Sequence, residues 1–274
     1  MAKKEKQVKE KKVKEKKVRL PERTESGGLN YAVYYMKPAE WLMYVLLAAA
    51  VLFALGYVFY RSVPLSGVLA LFALKYPSIR TREIIVNRRR KLTMQFKDML
   101  YSLSSAVGSG SSVERAMTLV LEDMERQYAS PDTYIVRELM LIVSKLSINQ
   151  NIEDLFRDLA DRSGIEDIRS FANIFEISKR TGGNMIQIIR QTSDIITQKI
   201  ETRNEIETLL AEKKMEQKVM AIMPIALMFL LTQTTGDFMA PLFAGLTGRL
   251  VCTVALALVI VGFLWGKKLT DIEI

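Results

Sequence analysis

The sequence predicts an all-α, polytopic membrane protein in which four transmembrane helices flank one cytoplasmic bundle of six helices. Hydrophobic residues make up 49% of the 274 residues and charged residues 25%, and the two kinds are segregated into blocks instead of interleaved as in a soluble domain. Apolar residues of the middle block recur every three or four positions, which is the helical period. These observations divide the chain into a basic tail over 1–38, a transmembrane hairpin over 39–76, a helical bundle over 77–218 and a second hairpin over 219–274.

Residues 1–38 form a low-complexity basic segment. They contain twelve Lys and Arg against five Glu, and the five-residue pattern Val8–Lys12 is repeated at Val13–Lys17. Such a segment has too little apolar surface to fold alone, so we expect a disordered, solvated cytoplasmic tail. Adhesion to anionic lipid is the alternative. Nucleic-acid binding is disfavoured because no aromatic residue lies among the lysines before Tyr31.

The first hairpin begins with a clear transmembrane signal. Ala39–Tyr60 runs 22 residues with one charge, Glu40, and at about 1.5 Å per residue this length crosses the roughly 30 Å hydrocarbon layer. Arg61-Ser-Val-Pro64 then predicts a tight turn. The following apolar run, Val63–Tyr76, has only fourteen residues; we predict that it also spans the membrane.

Two further apolar runs close the chain and complete the topology. These are Val219–Gln233, with Pro224 predicted to kink it, and Leu250–Trp265. Basic clusters occur in the tail, after the second run and after the fourth, whereas the two loops between paired runs carry only Arg61 and Arg249. By the positive-inside rule, both termini are cytoplasmic and the chain crosses the cell membrane four times. The cluster after the second run is predicted to anchor the chain at the membrane surface, with an acidic partner as an additional contact: Arg88, Arg89, Arg90 and Lys91.

The bundle is predicted from breaks between amphipathic helices. A first helix with an apolar stripe over Leu92–Val107 breaks at Gly108-Ser-Gly110, and Ser111-Ser-Val-Glu114 matches a capping box that starts the next. Later helices are predicted to begin at Ser130-Pro131 and Asn151, and the fourth to end at Ser163-Gly164. The fifth ends at Gly182-Gly183, where we expect a positive φ. A sixth opens at Asn184 and, lacking Gly or Pro before Pro224, is predicted to run continuously into the third span.

Composition argues against catalysis. The chain has no histidine and its only cysteine, Cys252, lies inside an apolar run, so the usual near-neutral base, the commonest metal ligand and a ready thiolate are all missing. No phosphate-binding loop of the Gly-x-x-x-x-Gly-Lys type occurs. The acidic face at Glu153-Asp154 and Asp158–Asp161 is interpreted as solvated, because it lacks the spacing of a calcium loop. We therefore predict no catalytic residue, no metal and no cofactor.

Two rival functions are considered. A transporter or channel with a cytoplasmic helical domain is weakened because the apolar runs carry no central charged residue. A membrane enzyme using the acidic face would need a metal or a bound lipid. A noncatalytic scaffold for a larger assembly fits the residues best.

Three stretches in the bundle resemble a known family. Asp161-Arg-Ser-Gly164, Ile168-Arg-Ser-Phe-Ala172 and Ile177-Ser-Lys-Arg-Thr-Gly-Gly-Asn-Met185 resemble the F domain of type II secretion and type IV pilus platform proteins. Met239-Ala-Pro-Leu-Phe243 and Gly248-Arg-Leu250 resemble TadB-like members, which serve the tight-adherence (Tad/Flp) pilus. The resemblance covers about 40–274. One departure is Ile148–Asn151, where the family often has a glycine.

The resemblance implies a platform in the cytoplasmic membrane. Its expected partners are a hexameric secretion ATPase, a sister TadC-like platform protein, pilin subunits and the lipid bilayer, within a homo- or hetero-oligomer and without nucleic acid. Ser109–Glu114 and Arg180–Asn184 match the two helix-turn signatures of the family. The partner-contact candidates are therefore Gly110, Ser112, Glu114, Arg180, Thr181, Gly182, Gly183 and Asn184.

Overall fold

A computed structural model describes residues 24, 27–130, 132–182, 184–234, 242–243 and 245–270. All regular structure in these ranges is helical, which confirms the all-α prediction. A 3-10 helix covers Leu71–Lys75. The α-helices are α1 (Pro38–Tyr60), α2 (Val63–Ala70), α3 (Tyr76–Gly108), α4 (Val113–Tyr128), α5 (Tyr134–Leu146), α6 (Ile152–Ser163), α7 (Glu166–Thr181), α8 (Met185–Thr234) and α9 (Leu246–Thr270).

The helices form two compact units. The first contains the described residues up to Tyr35 together with Ile84–Ser193, and the second contains Met36–Glu83 with the described part of Asp194–Ile274. These limits lie inside the segment 77–218 that the sequence assigns to the bundle. The first turns of α3 and most of α8 belong to the second unit, because each of these helices is continuous and contributes residues to both units.

An aromatic cluster lies at the centre of the first unit. Phe96 of α3, Phe156 of α6, and Phe171 and Phe175 of α7 are fully buried. Three of their ring pairs meet edge to face, with centroids 5.1 to 5.5 Å apart, a geometry that aligns the positive ring edge with a negative face. The apolar stripes predicted for these helices are confirmed as the core.

Most predicted helix limits hold, with local corrections. The break after Gly108 and the end of α6 at Ser163-Gly164 are confirmed, with Gly164 at φ 59°. The cap of α4 is Ser112, not Ser111, since Ser112 Oγ accepts from the Arg115 N–H at 3.3 Å. Helix α5 begins at Tyr134, later than the predicted Ser130-Pro131, and Pro131 lies outside the described residues.

The turn between α5 and α6 explains the departure from the family pattern. Asn149 has φ 61°, the left-handed conformation for which glycine is the usual choice and asparagine the best-tolerated substitute. The turn therefore keeps its geometry without a glycine.

A buried ion pair joins α5 to α6. Arg162 and Glu138 have side chains only 3% exposed, and the guanidinium meets the carboxylate through both Nη atoms, at 2.8 and 2.6 Å. Arg162 Nε also donates to Asp158 at 2.8 Å, and Nη1 donates to the carbonyl oxygen of Leu29 at 3.1 Å. Burial works against the charge of Arg162, but the contacts with Glu138 and Asp158 outweigh it and raise its pKa. The guanidinium therefore stays charged at every physiological pH.

The same pair holds residues 28–31, which we call the N-terminal strap. Tyr31 is 1% exposed, its hydroxyl donates to Glu138 Oε1 at 3.0 Å, and its N–H donates to the carbonyl oxygen of Arg162 at 3.0 Å. Burial and the neighbouring carboxylate raise the pKa of Tyr31, so the hydroxyl keeps its proton. A Cβ at Gly28 would collide with the Arg162 guanidinium. This part of the segment predicted as a solvated tail is thus folded against the bundle.

In the second unit, α1 and the run after it form an antiparallel pair. A Cβ at Gly56 would approach the Ser66 Cα to 3.0 Å, so the two helices touch closely there. At the other end of α1, the rings of Tyr44 and Tyr76 lie 6.4 Å apart. The predicted span 63–76 consists of an eight-residue α-helix followed by the 3-10 helix and the first residue of α3.

Three helices are long and apolar enough to cross a membrane among the described residues: Pro38–Tyr60, Met185–Thr234 and, within α9, Thr247–Gly266. Helix α8 runs unbroken for 50 residues through Pro224, which confirms the predicted continuity between the bundle and the third apolar run. The second predicted span, Val63–Tyr76, is not among the three.

Replacing Glu138 by Gln tests the buried pair. The variant leaves Arg162 charged and deprived of its carboxylate, and breaking a buried pair from one side typically costs about 3–5 kcal/mol. We expect a markedly lower midpoint of thermal unfolding for the full chain in detergent, followed by circular dichroism. Arg137→Gln, at the exposed neighbouring position that faces Asp132 at 3.9 Å, should change stability by about 1 kcal/mol or less. Equal effects of the two substitutions would contradict a central role for the pair.

Candidate partner-contact site

Lys179 brings the two predicted signatures together. Its Nζ lies 3.3 Å from Glu114 Oε1 at the start of α4 and 3.1 Å from Glu153 Oε2 at the start of α6. The beginnings of α4 and α6 and the end of α7 therefore meet at one end of the first unit, which we call the Lys179 pole. Burial works against the lysine charge, but the hydrogen bonds that Lys179 donates to Glu153 and Glu114 outweigh it and raise the pKa of Lys179.

Arg180 is an exposed cation of this pole. Its side chain is 76% exposed and its Nη2 lies 2.7 Å from Glu176 Oε1. Glu176 also bonds to Arg157 of α6, which in turn lies 3.7 Å from Asp154. The hydrogen bond from Arg157, assisted by the charges of both arginines, lowers the pKa of Glu176. Most of the Arg180 side chain is therefore exposed to solvent, although its guanidinium pairs with Glu176.

The turn after α7 is built from the predicted glycine and asparagine. Gly182 has φ 71°, and its N–H donates to the carbonyl oxygen of Ser178, which caps the helix. Asn184 Oδ1 accepts from the Gln187 N–H at 3.2 Å and caps α8. The Thr181 hydroxyl donates to the carbonyl oxygen of Ile177 at 3.0 Å. The predicted contact residue Gly183 lies outside the described residues.

Residues of the first signature also shape the turn between α3 and α4. Ser112 caps α4, and Gly110 has φ 93° in the turn that precedes it, with no heavy atom within 4 Å of a Cβ placed there. Glu114 reaches α7 through Lys179, the residue that directly precedes the second signature. The turn geometry of Gly110 and Ser112 thus positions the Glu114 carboxylate at the pole.

Sequence reasoning missed three exposed isoleucines near the pole. Ile174 and Ile177 of α7 are 46% and 63% exposed, and Ile148, in the turn that leads to α6, is 66% exposed. The signal was available for α7, because both isoleucines fall outside its stripe of buried residues, which includes Phe171 and Phe175. Exposed apolar side chains next to charged ones are typical of surfaces that bind other proteins.

The predicted anchor cluster packs on the first unit. The Arg88 guanidinium lies over the Tyr34 ring, 4.4 Å from its centroid, and Arg89 lies against Gly164, where a Cβ would come within 2.8 Å of Nη2. Arg90 is half-buried and Lys91 is exposed. Arg88 and Arg89 therefore have a packing role, and the membrane-anchor role stays a prediction.

A family comparison agrees with this arrangement. Residues 99–232 match the family model described as Type II secretion system (T2SS), protein F. The match supports the F-domain family. It runs from the middle of α3 through the Lys179 pole to the end of the apolar part of α8. Neither the curated proteins nor the solved structures give a match.

Gly182→Val tests the turn. A β-branched residue at φ 71° is strained, and the substitution should destabilise the helical bundle by about 1–3 kcal/mol. Gly108→Val is the matched control, since Gly108 ends a helix and has open space at its Cβ position. We expect a lower unfolding midpoint for the first variant only. Equal midpoints would contradict the requirement for glycine at position 182.

The substitution Glu176→Gln tests the contacts of Glu176 with Arg157 and Arg180 through the pH dependence of thermal stability. Because the pKa of Glu176 is lowered on folding, its stabilisation is present above the ordinary glutamate pKa of about 4.3 and is lost as pH falls through the lowered value. The wild type should unfold at a higher temperature than the variant at pH 7, and the gap should narrow as pH falls below the ordinary glutamate pKa and through the lowered pKa of Glu176. A gap that stays constant over the whole acid range in which the protein remains folded would exclude the carboxylate charge as its source.

Proposed function

We propose that this chain is a noncatalytic inner-membrane platform for assembling a type IV filament of the Tad/Flp kind or a type II secretion pseudopilus. The match of 99–232 to protein F is the observation that carries the proposal, since this family suggests a secretion or pilus platform role. The platform couples a cytoplasmic secretion ATPase to the extraction of pilin subunits from the bilayer. The TadB-like motifs in the sequence favour the Tad/Flp system.

The proposed topology has four spans and two cytoplasmic termini. Three helices that can cross a membrane and the family match suggest an inner-membrane protein. The run after α1 passes from Ser66, beside Gly56, to Tyr76, beside Tyr44. It therefore returns along most of the length of α1, which supports a second crossing by this segment even though α2 itself is short.

The Lys179 pole is the proposed contact with the secretion ATPase. It combines an exposed guanidinium at Arg180 with exposed apolar side chains at Ile174 and Ile177. This chemistry fits a partner surface that presents a carboxylate beside an apolar patch, because an arginine binds a carboxylate through two parallel hydrogen bonds. A sister platform protein and pilin subunits complete the proposed assembly, in which this chain forms homo- or hetero-oligomers.

Arg180→Glu tests this contact. The full chain in detergent should lose most of its binding to the secretion ATPase in a pull-down, with a fall in any stimulation of ATP hydrolysis, while helix content and membrane insertion stay unchanged. The physical reason is repulsion between the new carboxylate and the acidic partner surface.

The matched control is Arg126→Glu. Arg126 is 79% exposed and pairs with Glu122 four residues earlier, as Arg180 pairs with Glu176, but it lies at the far end of α4 from Glu114. This variant should bind as the wild type does. Loss of binding in both variants would indicate a general effect of charge. Binding retained by both variants would show that the Lys179 pole is not the contact.

A further inference from the structure

The N-terminal strap lies along one face of α5. The ring of Tyr31 meets the ring of Tyr134 edge to face with centroids 5.7 Å apart, and its hydroxyl donates to Glu138, one turn further along α5. A Cβ at Gly27, just before the strap, would lie 3.9 Å from Leu141 Cδ1. The three α5 residues follow each other at spacings of four and three, which places them on the same face of the helix. The strap therefore follows α5 over about two turns.

The chain after the strap stays on the bundle as far as Tyr34. Asn30 Oδ1 accepts from the Ala32 N–H at 3.0 Å and forms a local turn. The Tyr34 ring lies under the Arg88 guanidinium, whose Cζ is 4.4 Å from the ring centroid. Tyr35 is the last residue of this segment in the first unit. The contacts that hold the strap thus continue to the boundary of the unit.

Helix α1 begins almost immediately after this boundary. Lys37 is its N-cap, and the Lys37 carbonyl oxygen accepts from the Trp41 N–H at 2.9 Å. Two residues, Tyr35 and Met36, lie between Lys37 and Tyr34. Three residue steps of extended chain span at most about 11 Å, so this connection has little slack. The docked strap therefore constrains the start of α1 through the covalent chain alone.

This connection differs from the others between the two units. In the described part of the chain, the backbone also passes from one unit to the other at 83–84 and 193–194. Both of these positions lie inside continuous helices, α3 and α8. The strap is held instead by side chains, Glu138 and Arg162, so it can dock or leave without breaking a helix.

We propose that the strap and the first turn of α1 form one cooperative unit, through which the buried pair of Arg162 and Glu138 controls the start of a helix long enough to cross a membrane. While the strap is docked, Tyr31 and Leu29 complete the hydrogen bonds of the pair and the first turn of α1 is held. When the strap leaves, that turn loses its anchor and frays. Segments with few buried contacts open in this way as contiguous units.

Helix α6 links this unit to the Lys179 pole. Glu153 at the start of α6 pairs with Lys179, and Arg162 at its end donates to the carbonyl oxygen of Leu29 in the strap. Its twelve residues rise about 18 Å, and a packed helix transmits displacement as a rigid element. A partner that displaces the start of α6 therefore acts on strap docking and, through it, on α1. This last step rests on the proposed contact at the pole.

The test is hydrogen exchange of the full chain in detergent, followed by mass spectrometry of peptides. Tyr31→Ala removes the buried ring and the hydrogen bond to Glu138, and should undock the strap. We expect several-fold faster exchange in 28–35 and also at the amides of Trp41–Tyr44 in α1. Unchanged exchange in α1, in a variant whose strap exchanges faster, would overturn the proposal.

A lengthened connection separates the tether from an effect that passes through the bundle. Six Gly and Ser residues inserted between Tyr35 and Met36 should speed exchange at the start of α1 while the strap stays docked. Tyr31→Ala should then add nothing at α1, because the two changes break the same connection. An additional rise at α1 in the lengthened chain would show another route and would overturn the proposal.

Tyr128→Ala is the matched control, because the Tyr128 hydroxyl also donates to a carboxylate, that of Asp98, but belongs to α4. It should leave exchange in α1 at the wild-type rate, and an equal rise there would reduce the effect to general destabilisation and overturn the tether. Gly28→Ala, whose Cβ would collide with the Arg162 guanidinium, undocks the strap if Tyr31→Ala does not fold. No ATPase is present in these measurements, so their outcome is separate from that of the platform role.

Discussion

The structure of the bundle depends on one buried ion pair, Arg162 with Glu138. Removing a guanidinium and a carboxylate from water costs several kcal/mol for each ion, and only a full set of hydrogen bonds offsets it. Here the guanidinium has carboxylate partners in Glu138 and Asp158 and a carbonyl partner in the strap, while Tyr31 donates to the same carboxylate. Because few arrangements satisfy all of these groups at once, the pair selects one packing of α5, α6 and the strap.

This constraint explains the motif Asp161-Arg-Ser-Gly164, on which part of the family resemblance rests. The arginine supplies the buried cation. The hydroxyl of Ser163 donates to the carbonyl oxygen of Ala160 at 3.2 Å and accepts from the Ile165 N–H at 3.4 Å, which ends α6 and begins the next turn. Gly164 adopts φ 59° and leaves room for Arg89. Each residue of the motif after the aspartate has a separate geometric task at one corner of the bundle.

The sequence was sufficient for local structure and insufficient for pairings between distant positions. Apolar spacing predicted the buried face of α7 because a helix repeats every 3.6 residues, and the glycine signals located its end. Glu138 stands on the apolar face of α5, between Ile135 and Ile142, and this was a usable sign of a buried charge. Its partners lie 24 and 107 positions away, so only the tertiary fold identifies them. The same holds for Lys179 and Glu114, which are 65 positions apart.

The charge balance of the Lys179 pole bears on the kind of contact that it can make. Lys179 is neutralised by two glutamates, and Glu176 is shared between two arginines, so most charges there already have an internal partner. A partner gains little electrostatic energy from charges that are already paired and must draw on the exposed isoleucines and on Arg180, which pairs with Glu176 but has a side chain that is 76% exposed. Such a small, partly apolar surface favours a weak, reversible contact. The proposed contact with a secretion ATPase would then be one that engages and releases repeatedly.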